Sequence, residues 1–186
     1  TKASAKTSQA RRSKSNRPLE IAHVNAIAKE VQQGKISLPD VDLDSDAAYT
    51  CLWALVDSGA GANVARRNHF KKSQRVVAPD ISLSAANGKI IPNDGAHSVE
   101  TVHRDGTTTS RIFYMANVDM PILSVTELTK EGSLGSEVRF RKRDGLMVDN
   151  ATGRRQHFVK RKGVYFIKLY VPNDNEHPSG FSRPDM

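Results

Sequence analysis

Cysteine is nearly absent from this chain. Cys51 stands alone among 186 residues, so no internal disulfide can form and no second thiolate exists to build a zinc site. That usage fits an intracellular, reducing compartment. Aromatic residues make up only 6% of the chain and tryptophan occurs once. No apolar run approaches the roughly 18 residues of a membrane span, so the expectation is a soluble cytoplasmic chain without a membrane partner. The basic, polar N-terminus has no apolar core behind it and does not read as a secretory signal. Several catalytic signatures are missing as well. Gly59-Ala60-Gly61 follows an apolar run, but neither Gly-x-Gly-x-x-Gly nor a Gly-Lys-Ser/Thr ending is present, which excludes the common nucleotide loops. Gly-x-Ser-x-Gly is absent too, so Ser58 is no serine-hydrolase elbow. His97 and His103 sit at even spacing on one strand arm without a third ligand, and the four acids Asp40, Asp42, Asp44 and Asp46 lack the glycine and distal glutamate of a calcium loop. No metal and no cofactor are expected.

Acid is also missing where base concentrates. Residues 1–17 hold six of the 28 Lys and Arg and none of the 20 Asp and Glu. The rest of the chain is left with 22 basic against 20 acidic residues, a net of +2 within the formal +8. A second basic zone spans residues 139–162, with Arg139, Arg141, Lys142, Arg143, Arg154, Arg155, Lys160, Arg161 and Lys162 against Asp144 and Asp149. Such zones can hold RNA or DNA phosphates by counterion release, or serve as solvated faces.

What is present falls into four stretches. Residues 1–46 read as a basic disordered tail, a short helix and an acidic linker. Within them Ile21, Val24, Ile27, Ala28 and Val31 recur at helical spacing before Gly34. From residue 47 the pattern turns to β. Tyr49 to Val56 is an apolar strand ending at Asp57, and Val76-Val77-Ala78-Pro79 reads as an edge strand. Ile81 to Pro92 folds back at Asn87-Gly88, where a type I′ turn is expected. Ser98 to Val102 and Arg111 to Met115 flank a second hairpin at Arg104-Asp105-Gly106-Thr107. Ile122-Leu123 then runs into a short helix that Ser124 or Thr126 can cap, with Val125 and Leu128 inward and Gly132 as its stop. Glu137 to Phe140 follows as a strand. Residues 141–172 read as a basic β-meander with turns at Asp144-Gly145, Thr152-Gly153 and Lys162-Gly163, and residues 173–186 as a loose tail.

Asp57 is the residue that most needs explaining. A carboxylate delivered by Trp53-Ala54-Leu55-Val56 to the end of a buried strand is costly unless paired or used. Ser58 and Gly59 let the backbone turn sharply behind it. In isolation the tetrapeptide Asp57-Ser58-Gly59-Ala60 fits either an ordinary strand-end turn or an acid held for chemistry.

Asp-Ser/Thr-Gly-Ala behind two or three apolar residues resembles the active-site loop of the retropepsins, the aspartic proteases of retroviruses and retrotransposons. The order of parts over residues 48–140 is similar to a whole retropepsin subunit: acid-bearing strand, flap-like hairpin about 30 residues later, second hairpin, apolar pair entering a short helix, closing strand. Ser124 stands where the family commonly has glycine. The variant Leu123-Ser124-Val125-Thr126-Glu127-Leu128 is instead similar to Copia-type retrotransposon polyproteins, and Leu146-Met147-Val148-Asp149, Thr152-Gly153 and Gly163 to Leu169 resemble the pre-integrase segment that follows the protease there. The fold this implies is an all-β closed barrel with a flap hairpin and one short C-terminal helix, covering residues 47–140, followed by the basic β extension of residues 141–172.

The resemblance implies an aspartic endopeptidase that processes its own polyprotein, with Asp57, Ser58 and Gly59 as catalytic residues. Ala60, Ala86, Asn87, Gly88, Lys89, Ile90, Ile122 and Leu123 would contact the peptide substrate. Only one Asp-Ser/Thr-Gly occurs, so a two-aspartate mechanism requires a homodimer with both Asp57 residues at its axis. Two such carboxylates would share one proton, because like charges so close cannot both ionise easily. Virus-like particles are a setting implied for such a polyprotein. The alternative is a non-enzymatic module, dimerising or binding peptide, or holding RNA or DNA through residues 1–17 and 139–162.

Overall fold

In a computed structural model, the residues described are 21–39, 49–85, 88–103, 107–130 and 136–172. Expectations for residues 1–20, for the acids at 40–46 and for the tail after 172 lie outside them, as do Ala86, Asn87 and Gly132. Helix α1 (Ile21–Gln32) forms where the apolar spacing placed it and buries Val24, Ile27 and Ala28 on one face. Gly34 follows in the left-handed region at φ 69, the conformation that stops a helix cheaply only for glycine.

Among the described residues the remainder is mostly β-sheet. The strands are β1 (Tyr49–Asp57), β2 (Val64–Ala65), β3 (Gln74–Arg75), β4 (Leu83–Ser84), β5 (Ile90–Ile91), β6 (Asn93–Val102) and β7 (Thr108–Ala116). They continue as β8 (Ile122–Ser124), helix α2 (Val125–Thr129), β9 (Ser136–Phe140), β10 (Asp144–Asp149), β11 (Arg155–Arg161) and β12 (Val164–Pro172). Ten strands form one sheet in the order β3-β6-β7-β2-β8-β1-β12-β11-β10-β9, and β12 also bonds back to β6 at Tyr170 and Val102. Pairing therefore runs in a circuit from β6 through β7, β2, β8, β1 and β12 to β6 again.

Alternation along these strands separates two apolar faces. Leu55, Val64, Tyr114, Ile122 and Phe166 belong to one cluster, which also takes in Val24, Ile27 and Ala28 of α1 and Leu83 of β4. Ala54, Val56, Ala65, Phe113, Met115, Leu123 and Ile167 belong to the other, with Leu128 of α2 and Phe158 of β11. The two-residue period places Asp57 on the side of Leu55.

Long-range pairing departs from the chain-order reading at three places. The strand expected to close the unit, at 137–140, is β9 and lies at the outer edge of the sheet. The strand beside β1 is β12, paired antiparallel from Tyr49↔Pro172 to Val56↔Tyr165. The boundary expected at residue 140 thus has no counterpart in the sheet: the meander β10-β11-β12 is hydrogen-bonded into the strand that carries Asp57. Local turn signals are blind to partners more than a hundred residues away, which is why the order of strands could not be read. The third departure is smaller. Residues 74–75 pair with β6 and the Val76 N–H adds a bond to the Ala96 carbonyl at 3.0 Å, so the strand lies earlier than 76–79, while Val77 is fully exposed and the Pro79 carbonyl accepts from the Tyr114 hydroxyl.

Candidate functional site

The site is built where three strands meet around the loop after Asp57. β8 lies between β1, to which it runs parallel, and β2, to which it runs antiparallel. Its register sets Leu55 opposite Ile122, Val56 opposite Leu123 and Asp57 opposite Ser124. The apolar residues of β1 and β8 drive this contact, because Leu55 and Leu123 lose all their exposed surface and Ile122 nearly all. An acid one step beyond Val56 is carried into the junction with them.

Asp57 is 6% exposed. Its Oδ1 accepts the backbone N–H of Gly59 at 2.8 Å, so the turn formed by Ser58 and Gly59 closes onto the carboxylate that precedes it. Ser58 is exposed and Gly59 and Ala60 are half-buried. The next layer is polar and fully bonded. Ser124, without exposed surface, donates its hydroxyl to the Ala60 carbonyl at 2.6 Å and accepts from the Glu127 N–H as the cap of α2. Asn63, also buried, accepts the Ser124 N–H at 2.9 Å and donates to the Ile112 carbonyl at 3.0 Å. One amide thereby ties the loop to β8 and β7 together. Arg66 closes the far side, donating to Asn117 and, at 2.7 Å, to Asp119.

The residues expected to contact a peptide are partly brought together. Ala60 and Ile122 lie in the cluster on the Asp57 side. Leu123 lies in the opposite cluster and is fully buried there, so it cannot share a cleft with Asp57. Adjacent strand residues face opposite ways, and the alternation alone could have separated Ile122 from Leu123. Lys89 and Ile90 are exposed on the hairpin β4–β5, Ile90 at 68%. The Ala85 carbonyl accepts the Gly88 N–H and the Ala85 N–H donates to the Lys89 carbonyl, both at 2.8 Å. Gly88 takes the left-handed region at φ 80, while the type I′ turn expected at Asn87-Gly88 rests on Asn87, which lies outside the described residues.

Several contributors went unread in the sequence. Asn63 interrupts the apolar pair Ala62 and Val64, and a polar residue so placed had to find partners if buried. The sequence marks Ser124 as a helix cap, a role it fills, and carries no local sign of its place opposite Asp57. Among the described residues no three His, Cys, Asp or Glu side chains cluster as a metal site would need. No described helix is long and apolar enough to cross a membrane.

The second basic zone forms the far end of the sheet. Arg139 is engaged by Glu137 at 2.6 Å and Lys162 by Glu30 at 2.7 Å, which holds both carboxylates below their ordinary range. Lys160 lies over the Tyr165 ring, which packs against the exposed ring of Phe140. Set beside protein-family models, curated proteins and solved structures, this chain matches none of them.

Proposed function

We propose that the chain is an aspartic endopeptidase of the retrotransposon, retropepsin-like kind, active as a homodimer. The observation that carries the reading is the carboxylate of Asp57, buried at a strand end and held by the N–H of its own Ser-Gly turn. An ordinary turn acid would be solvated; burial at a junction of three strands, with exposed Ser58 beside it, supports reading Asp57 as an acid that pairs with its symmetry mate. The circuit of strand pairings supports reading the body as a closed barrel, and the exposed hairpin β4–β5 as its flap. The chain offers one Asp-Ser-Gly, so the second carboxylate comes from a second copy.

The chemistry then needs no metal and no covalent intermediate. One Asp57 takes a proton from a water whose oxygen attacks the scissile carbonyl carbon. The Asp57 of the second copy, protonated, gives its proton to the carbonyl oxygen. Collapse of the diol breaks the C–N bond as the departing nitrogen takes the proton held by the first Asp57 and a diol hydroxyl returns its proton to the second. Ser58 would bridge the axis, Gly59 would admit the peptide backbone, and the hairpin residues from Ala86 to Ile90 would cover the peptide and exclude water.

Asp57→Asn is the test. The asparagine amide oxygen can still accept from Gly59, so dimer mass and unfolding midpoint should be kept while cleavage of an apolar-rich peptide library falls by at least about a hundredfold. Cleavage continuing at the original rate would overturn the proposal. A second reading, a non-enzymatic module that holds RNA, draws on the Phe140, Tyr165 and Lys160 stack amid arginines. A strictly monomeric chain whose RNA retention falls steeply with salt would favour it.

A further inference from the structure

We propose that helix α1 is an intramolecular plug, occupying the groove in which the substrate peptide would lie and holding the chain in a latent form. This rests on the endopeptidase reading above. A peptide cut by Asp57 must lie across the face of the sheet to which Asp57 belongs, with its side chains on Leu55, Ile122 and Val64. Those residues are already covered. Val24, Ile27 and Ala28 of α1 pack into the same cluster as Leu55, Ala62, Val64, Met120 and Ile122, and Leu83 of the β4–β5 hairpin joins them. Val24 and Ala28 are at most 1% exposed, so the contact is as dry as the core itself. Ile36 and Leu38, beyond the helix, extend the cover.

Polar ties fix the helix in register along the groove. The Asn25 side-chain oxygen accepts the Asp119 N–H at 2.8 Å, beside Met120. Lys162 meets Glu30 at 2.7 Å, and the Arg161 guanidinium donates to the Ser37 carbonyl at 3.0 Å. One tie holds the loop between β7 and β8; the other two hold the turn between β11 and β12. All three lie around the rim, where solvent competes with them. A single apolar stripe with few rim bonds can be exchanged for another apolar segment. The chemical class that would displace α1 is therefore the class the site would cut: a peptide presenting bulky apolar side chains at alternate or helical spacing.

The experiment uses the full chain and the double substitution Val24→Asp with Ile27→Asp. Three readouts are taken together: affinity for a transition-state-like hydroxyethylene peptide, cleavage of the peptide library, and hydrogen exchange of α1 and β1 amides. The expected result is lost protection in α1, retained protection in β1, and at least tenfold gains in both inhibitor affinity and cleavage rate. If the double variant does not fold, Asn25→Ala with Glu30→Lys removes two rim ties and leaves the apolar stripe intact; smaller gains of the same sign are expected. Equal affinity and cleavage before and after release of α1 would overturn the plug while leaving the protease intact. No binding and no cleavage with α1 released and β1 protected would overturn the protease reading and the plug with it.

Discussion

Asn63 carries two hydrogen bonds that no other side chain near Asp57 can replace. Its amide oxygen takes the Ser124 N–H and its amide nitrogen gives to the Ile112 carbonyl. Asn63→Ala would leave a buried donor without a partner and strip an acceptor, each worth about 1–3 kcal/mol. The expected cost is about 2–4 kcal/mol, read as a lower urea midpoint at unchanged slope, and under the proposed reading a larger fractional loss of cleavage than of stability. Asn63→Asp keeps the acceptor for Ser124 but sets a buried carboxylate oxygen against the Ile112 carbonyl, and should cost at least as much as Asn63→Ala. At this scale the sequence was informative where a residue's surroundings are local. Asp57 announced itself by the apolar run before it, and Ser124 by the helix after it. Asn63 did not, because its partners lie 49 and 61 positions away.

Elements were legible when their signal lay within their own length. The spacing of Val24, Ile27 and Ala28, the antiparallel pairing of β4 with β5 and the capped entry into α2 all rest on neighbours within a few residues. What each element covers is a different question, and α1 shows it. Its apolar stripe called only for some surface; that the surface is the Asp57 side of β1 and β8 depends on a fold the stripe does not encode. The hairpin β4–β5 offers the clearest element-scale prediction. Ile90 is 68% exposed, so Ile90→Ser should move stability by less than about 0.5 kcal/mol. If the hairpin closes on a peptide, the lost burial of one isoleucine, about 1.5–3 kcal/mol, should lower kcat/KM about ten- to a hundredfold. Parallel urea titration and peptide kinetics would separate the two effects, and equal kinetics would make this an ordinary surface hairpin.

For the whole molecule the decisive strand is β12. It pairs with all but the last residue of β1, bonds to β6, and contributes Phe166, Ile167, Leu169 and Val171, each at most 6% exposed. Four such side chains at about 1.5–3 kcal/mol each represent as much as the entire stability of a typical domain, about 5–15 kcal/mol. A chain ending at residue 140 is therefore expected to show no cooperative urea transition, whereas one ending at residue 172 should match the full chain. Folding of the shorter chain with dispersed amide resonances would contradict this. The strand that bears Asp57 must also wait for its partner. Tyr49 meets Pro172, and at about 5–20 residues per second of synthesis the interval between them is about 6–25 s. Throughout that interval one edge of β1 stays open, and the carboxylate at its end has no finished setting. On the endopeptidase reading, arming of the acid would be tied to the clock of translation, and the strand that bears it could not be completed before residue 172 had been made.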